Sequence, residues 1–234
     1  MSAGEVVVVT GGTGALGRAV AAHLLRHGDR VAVPYRTRDG FEKLRHELGD
    51  AAGLWGAQAD LGDLRSSAAF FAEARRELGP IRGLAALAGA YRGSPTLEAA
   101  PEDEWPAMLD ANLHTAWVAC RCALPHLLEQ GGSAVTVSAR AVAQGGAGAA
   151  AYAVSKAGVE ALTRALAGEN RERGVRFNAV APGIIDSPGN RTAMPRADRA
   201  GWVAPESIAE VIGFLLSPAS LPTTGAVIPV HGSA

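Results

Sequence analysis

At 234 residues the chain has room for one large domain with a complete hydrophobic core and is short for two. Its 48% apolar and 19% charged residues exclude a disordered chain, and a net charge of −1 with a pI near 6.6 leaves no basic field for nucleic acid. Apolar runs fall short of the roughly 18 residues a membrane span needs, and the opening MSAGEVVVV lacks a basic leader, so a soluble cytoplasmic protein is expected.

The first predicted strand, 5–9 (EVVVV), runs into TGGTGALG at 10–17, and a helix is predicted over 15–27. Gly12, Gly14 and Gly17 fit G-x-G-x-x-G, while Gly11 and Gly17 keep the outer spacing of T-G-x-x-x-G-x-G. Between a strand and a helix, such glycines let a pyrophosphate approach the free N–H groups of the helix N-terminus. A dinucleotide site is therefore expected, with a plain tight loop as the alternative. His23 and His27 lie i, i+4 on this helix without an evident third ligand, so they read as surface residues and no metal is expected.

The second strand, 30–34, leads into Tyr35, Arg36, Thr37 and Arg38. An acid there would bind a ribose 2′-hydroxyl, but Asp39 comes late, at the start of a helix over 39–48. Arg36, supported by Thr37, suits a 2′-phosphate, because guanidinium and phosphate pair as a bidentate fork. NADP(H) is thus favoured over NAD(H); a solvated basic turn is the alternative. A third strand at 54–58 precedes ADLGD, where Asp60 could cap the helix 63–78. A fourth strand at 82–87 precedes the helix 101–128, which carries Asn112 (with a satisfied polar residue or a kink as the alternative reading) and Cys120 and Cys122. Spaced i, i+2, the cysteines point apart and read as reduced thiols.

The fifth strand, 133–138, ends at Ser138, which could simply cap the next loop. The helix 151–171 then sets Tyr152 and Lys156 on one face and lines up Ala153, Ala157, Ala161 and Ala165 as a small-residue ridge. A strand at 174–180, an irregular stretch at 184–204, a helix at 205–216 and a strand at 226–230 complete the chain. The irregular stretch is read as a substrate lid over the carboxyl edge of the sheet. Alternating strands and helices predict one α/β domain: a Rossmann-type doubly wound parallel sheet of about seven strands, flanked by helices on both faces.

TGGTGALG, Asp60, Ala88-Gly89, Asn112 in DANLHTAW, Ser138, Tyr152/Lys156 in YAVSK and Pro182-Gly183 follow in order. On these motifs the chain resembles the short-chain dehydrogenases/reductases over essentially its whole length. The resemblance implies a catalytic tetrad of Asn112, Ser138, Tyr152 and Lys156. It implies cofactor contacts from Gly11, Thr13, Gly14, Leu16, Gly17, Arg36, Thr37, Asp60, Leu61, Ala88 and Gly89, with Asp60 at the adenine. Tyr152, Lys156, Pro182, Gly183, Ile185 and Ser187 complete that set. It further implies a homodimer or homotetramer paired through the ridge helix and the long helix before it; packing of the ridge against its own sheet is the alternative. Three departures bear on subfamily and substrate: Ala15 in place of the middle glycine, Ala86-Leu87 in place of two asparagines, and VHGS at 230–233 in place of a VDGG-like ending.

The chemistry follows from the residue types. Hydride reduction of a carbonyl needs a proton donor at the oxygen, and the reverse reaction needs a base. A tyrosine titrates near ~10, and an adjacent ammonium favours its phenolate; a shift of ~3 units corresponds to about 4 kcal/mol. In this scheme Ser138 holds the substrate oxygen near Tyr152, Lys156 reaches the nicotinamide ribose, and Asn112 holds a water that relays protons from Lys156. The expected activity is NAD(P)H-dependent interconversion of a carbonyl and an alcohol. The alternatives are reduction of a quinonoid ring or imine, or a non-catalytic NADP(H)-binding sensor. Candidate pocket walls are the 139–150 loop, Tyr91, Met194 and Trp202, with Arg92 or Arg191 facing an anion.

Overall fold

Four consecutive valines suit a strand only if both of its faces are covered, since successive side chains point to opposite sides. In β1 (Val6–Thr10), Val6 and Val8 enter one hydrophobic cluster while Val7 and Val9 enter another, all fully buried. The computed structural model describes residues 4–232; Met1–Ala3 of the opening stretch and Ser233 of the VHGS ending lie outside the described residues.

In chain order β1 is followed by α1 (Ala15–Arg26), β2 (Arg30–Tyr35), α2 (Arg38–Glu47), β3 (Leu54–Gln58), α3 (Leu64–Leu78) and β4 (Ile81–Ala86). Then come α4 (Glu104–Met108), α5 (Thr115–Leu127), β5 (Gly132–Val137), α6 (Arg140–Gln144) and α7 (Ala150–Asn170). The chain closes with β6 (Val175–Pro182), α8 (Pro188–Ala193), α9 (Pro205–Leu216) and β7 (Val227–Val230). All strand pairings are parallel, in a seven-stranded sheet of order β3-β2-β1-β4-β5-β6-β7. Helices α1, α2 and α9 cover one face, where Leu24, Phe41 and Ile212 pack, and α3, α5 and α7 cover the other with Phe71, Leu127 and Ala167. The doubly wound α/β fold read from the sequence is thus the fold of the protein. Among the described residues no helix is long and apolar enough to cross a membrane.

The predicted elements lie within a few residues of these, with two differences. The expected helix over 101–128 is interrupted: α4 and α5 are joined by a six-residue π-helical stretch, Leu109–His114, that contains Asn112. A π turn widens the helix locally, and such turns recur at functional sites. The second difference is that α6 and α8 form within stretches read as loops. Each is too short to show a hydrophobic period.

Strand β1 pairs with β2 on one side and β4 on the other, so the winding reverses there. The carboxyl ends of β1 and β4 therefore flank a crevice, the place where open α/β sheets bind ligands.

Candidate active site

The crevice holds a cleft of about 810 Å³. From the glycine turn, Gly11, Thr13, Gly14, Leu16 and Gly17 line it, as do Arg36 and Thr37 after β2. Asp60 and Leu61 after β3, Ala88 and Gly89 after β4, and Ile185 and Ser187 after β6 complete the expected wall. Four predicted contacts do not line it: Tyr152 and Lys156 on α7, and Pro182 and Gly183 at the end of β6. Pro182 ends β6, and Gly183 packs on the His231 backbone, where a Cβ would meet the carbonyl oxygen at 3.0 Å. Asp110, Ala111 and Thr115 also line the cleft, together with Asn190 on α8. The sequence carried no signal for them, because a π turn and a six-residue helix leave no pattern.

The turn is shaped to admit a dinucleotide phosphate. Gly11 has a φ of +66°, strained for any residue with a side chain, and a Cβ there would sit 2.9 Å from the Ala88 nitrogen. A Cβ on Gly17 would collide with the Gly11 carbonyl and lie 2.6 Å from the Gly12 Cα. Ala15, in contrast, is the first residue of α1 and lines the cleft with its methyl group accommodated. At the far end, Arg36 is exposed and makes no ion pair among the described residues, whereas Arg18 pairs with Glu47 and Arg38 with Glu42. Thr37 precedes α2 without using its hydroxyl as a cap. A free guanidinium and a free hydroxyl fit a 2′-phosphate.

Asp60 does not cap α3. Its carboxylate accepts the Gly62 N–H at 2.9 Å, while Asp63 caps the helix by accepting the Ser66 N–H at 2.6 Å. At the position of the two missing asparagines, Thr10 ties the strand ends together. Its hydroxyl accepts the N–H groups of Leu87 (3.0 Å) and Ala88 (3.2 Å), joining the ends of β1 and β4.

The catalytic end rests on α7. Ser155, Lys156, Val159, Thr163, Ala167 and Asn170 recur at helical spacing and are buried, leaving Tyr152 half-buried at the first turn. Lys156 Nζ donates to the Val137 carbonyl at 2.9 Å and lies 5.9 Å from the Tyr152 ring centroid. Burial lowers the Lys156 pKa to about 8. Burial, with Tyr91 adding to it, raises the Tyr152 phenol to about 12. The expected drop of the phenol toward neutrality is therefore not present in the protein alone. Desolvation penalises both charged forms, and the ammonium is directed to a backbone carbonyl instead of the phenol oxygen.

Two further expectations need correction. Ser138 was expected beside Tyr152, but its hydroxyl donates at 2.7 Å to Glu160, which also accepts from Arg164 at 3.1 Å. Strand alternation is the reason. Thr136 and Ser138 share the face toward α7, where Thr136 meets Thr163 at 2.7 Å. Asn112 was expected to hold a relay water, yet its amide is engaged on both sides. It donates to the Ala90 carbonyl (3.0 Å) and the Ser155 hydroxyl (3.1 Å) and accepts the Ala90 N–H (3.0 Å). Its side chain therefore clamps the loop after β4 to the π turn and α7. The residue after that clamp, Tyr91, packs edge-on against Tyr152 with ring centroids 5.0 Å apart.

Other expected features fall outside the cleft. His23 is half-buried, its ring lying where a Cβ on Gly213 of α9 would be, and His27 is exposed, with ring centroids 4.3 Å from His23. Cys120 and Cys122 are free and buried in the same core, and burial pushes the Cys120 thiol up to about 12. In the ridge, Ala157, Ala161 and Ala165 are exposed, so it does not pack against its own sheet.

The chain matches the family model for short chain dehydrogenase over residues 5–198. It is 34% identical to acetoacetyl-CoA reductase from Synechocystis sp., an alignment covering 98% of this chain and 95% of the relative. It is 33% identical to 3-oxoacyl-[acyl-carrier-protein] reductase from Pseudomonas aeruginosa, covering 98% and 96%. Among solved structures it is similar to the NADPH-bound form of a short chain oxidoreductase from Pseudomonas aeruginosa PAO1, described as containing an atypical catalytic center. That pair has a TM-score of 0.88 and 29% identity, covering 98% of this chain and 96% of the other.

Proposed function

The chain belongs to the short-chain dehydrogenase/reductase family of NAD(P)H-dependent oxidoreductases, and from that premise we propose that it reduces a carbonyl to an alcohol with NADPH, Tyr152 delivering the proton. The observation that carries this reading is Tyr152 with its ring 5.9 Å from the Nζ of the buried Lys156, which itself lies against Gly89 of the cleft wall.

When bound, the cofactor supplies the hydride. The glycine turn takes its pyrophosphate, Arg36 and Thr37 its 2′-phosphate, and Asp60 and Leu61 its adenine end. Tyr152 is a donor and not a base at neutral pH, which suits reduction: an alkoxide forming at the substrate oxygen is far more basic than a phenolate and draws the proton across. Lys156, with a pKa of about 8, is mostly charged at pH 7 and can return a proton to Tyr152. Its Nζ, anchored to Val137, is held 5.9 Å from the Tyr152 ring in a dry setting. Asn112 keeps the loop after β4 in register with both.

The two similar reductases named above act on 3-oxoacyl thioesters by their names, so acetoacetyl-CoA and ethyl acetoacetate head the substrate panel. Fluorescence titration with NADPH and NADH, followed by turnover of that panel, is the test. Tighter NADPH binding and ketone reduction are expected; an NADH preference overturns the reading of Arg36, and no oxidation of bound NADPH favours a sensor. One observation keeps a second reading alive, reduction of a quinonoid ring or imine: Ser138 faces Glu160 and is not needed for such a substrate. A p-benzoquinone and a cyclic imine in the same panel decide between them.

The stretch 184–204 serves in this reading as a lid. An Ile185–Val203 bridge closes its base, α8 lies within it, and Arg191 is held to Asp186 at 2.6 and 2.7 Å. The outward ridge of α7 supports assembly into a homodimer or homotetramer, and the working place is cytoplasmic. Light scattering that returns only a 23.9 kDa species removes the assembly from the proposal.

A further inference from the structure

The catalytic end has a serine that faces away from the opening and an exposed tyrosine that stands beside Tyr152. Ser138 is 1% exposed, and its hydroxyl is bonded to a carboxylate eight residues beyond Tyr152 on α7, roughly 12 Å along the helix axis. A hydroxyl-to-carboxylate bond is about twice as strong as a neutral one. Turning Ser138 toward a substrate would break that bond and leave Glu160 to the exposed Arg164 side chain. The next residue, Ala139, offers only a methyl group. The end of β5 thus presents no free hydroxyl.

Tyr91 does present one. It lies between two anchors of the loop after β4: Asn112 grips both the N–H and the carbonyl of Ala90, and the Ser94 N–H donates to the Gly148 carbonyl at 2.9 Å. The backbone on either side is therefore held while the Tyr91 side chain is 68% exposed. Its ring meets that of Tyr152 at 75° with centroids 5.0 Å apart. Among the described residues neither phenol oxygen has a hydrogen-bond partner, and the Tyr91 hydroxyl lies over Gly93, 2.7 Å from where a Cβ would sit. A carbonyl oxygen has two lone pairs to receive both phenols.

We propose that Tyr91 is the second hydrogen-bond donor to the substrate oxygen, in the place the sequence assigned to Ser138, and that the Ser138–Glu160 bond is a clamp between β5 and α7. This rests on the reading of the protein as a carbonyl reductase. Tyr91 keeps its proton throughout; the proton that ends on the alcohol is Tyr152's. The contribution of Tyr91 is a hydrogen bond that strengthens as negative charge develops on the oxygen.

The test compares Tyr91→Phe, Ser138→Ala and Tyr152→Phe on the ketone that the wild type reduces fastest, with NADPH affinity and melting temperature measured in parallel. Tyr91→Phe keeps the ring and sits at an exposed position. It is expected to lower kcat by about 10- to 100-fold with NADPH binding unchanged. It should also move the alkaline limb of the pH profile to lower pH, because Tyr91 helps hold the Tyr152 phenol up. Ser138→Ala is expected to lower the melting temperature and change kcat by less than about threefold. A Tyr91→Phe enzyme within threefold of wild type overturns the proposal, whether or not Ser138→Ala folds. So does a Ser138→Ala enzyme that folds, binds NADPH and has lost about 100-fold or more in kcat. If Tyr152→Phe is fully active, or the wild type reduces no ketone, the functional reading itself fails.

Discussion

The two ends of the cleft are built in different ways. The cofactor end is shaped by backbone: Gly11 and Gly17 are there because a Cβ would strike neighbouring main chain, and Thr10 ties the ends of β1 and β4 through N–H groups. The catalytic end is shaped by side chains that answer to one another. Lys156 is directed to Val137, Ser138 to Glu160, and Asn112 to Ala90 and Ser155. Backbone constraints act over a few residues of sequence, whereas a side chain's partner is set by packing between distant elements. One end therefore follows from a motif, and the other can keep its motif and change its contacts.

The largest effect should come from Tyr152→Phe, which leaves the cofactor end untouched. It is expected to lower kcat by about 10²- to 10⁴-fold with NADPH affinity unchanged, read from steady-state kinetics and fluorescence titration. Gly17→Ala attacks the other end. Its methyl group has only backbone to push against, so NADPH affinity should fall by at least about 100-fold and stability by roughly 2–4 kcal/mol. Ultraviolet titration of the three tyrosines should show the phenol near pH 12 unmoved by that variant. If the phenol moves too, the two ends are coupled and the contrast between them breaks.

Arg36→Ala sharpens the cofactor side. Loss of one charge-assisted contact should weaken NADPH by roughly 10- to 100-fold and leave NADH within about twofold, measured by titration with each. The smallest effect is on stability at the catalytic end. Burial lowers the Lys156 pKa from 10.5 to about 8, so the folded state bears a penalty for the charged lysine at pH 7, about 3 kcal/mol in full. Lys156→Met removes that penalty and also the bond to Val137, for a net gain of about 1–2 kcal/mol at pH 7. Between pH 8 and 10.5 the unfolded lysine binds more protons than the folded one, so the wild type recovers stability and the gain should shrink to nothing. Urea unfolding at pH 7 and pH 10.5 checks it, and an equal gain at both would show that the lysine is not desolvated.

What was legible in the sequence divides along the same line. The valines of β1, the glycine turn and the missing acid near Arg36 pointed to a two-faced parallel sheet with a dinucleotide crevice at its edge; of the expected contacts, Tyr152, Lys156, Pro182 and Gly183 do not line the cleft. The spacing of Tyr152 and Lys156 on one helix was equally readable. The direction of Ser138 was not, because it required knowing that Glu160 lies within reach of β5. The π turn around Asn112 and the place of His23 under Gly213 of α9 were hidden for the same reason.

By itself, the sequence determined the alternation of strands and helices, the turn that admits a phosphate, and the helix that pairs a tyrosine with a lysine. All three rest on local periodicity or on the absence of a side chain. Only the tertiary structure decided which hydroxyl stands free beside Tyr152. A buried hydroxyl bonds the strongest acceptor that packing brings to it; for Ser138 that acceptor is Glu160, 22 residues away on α7.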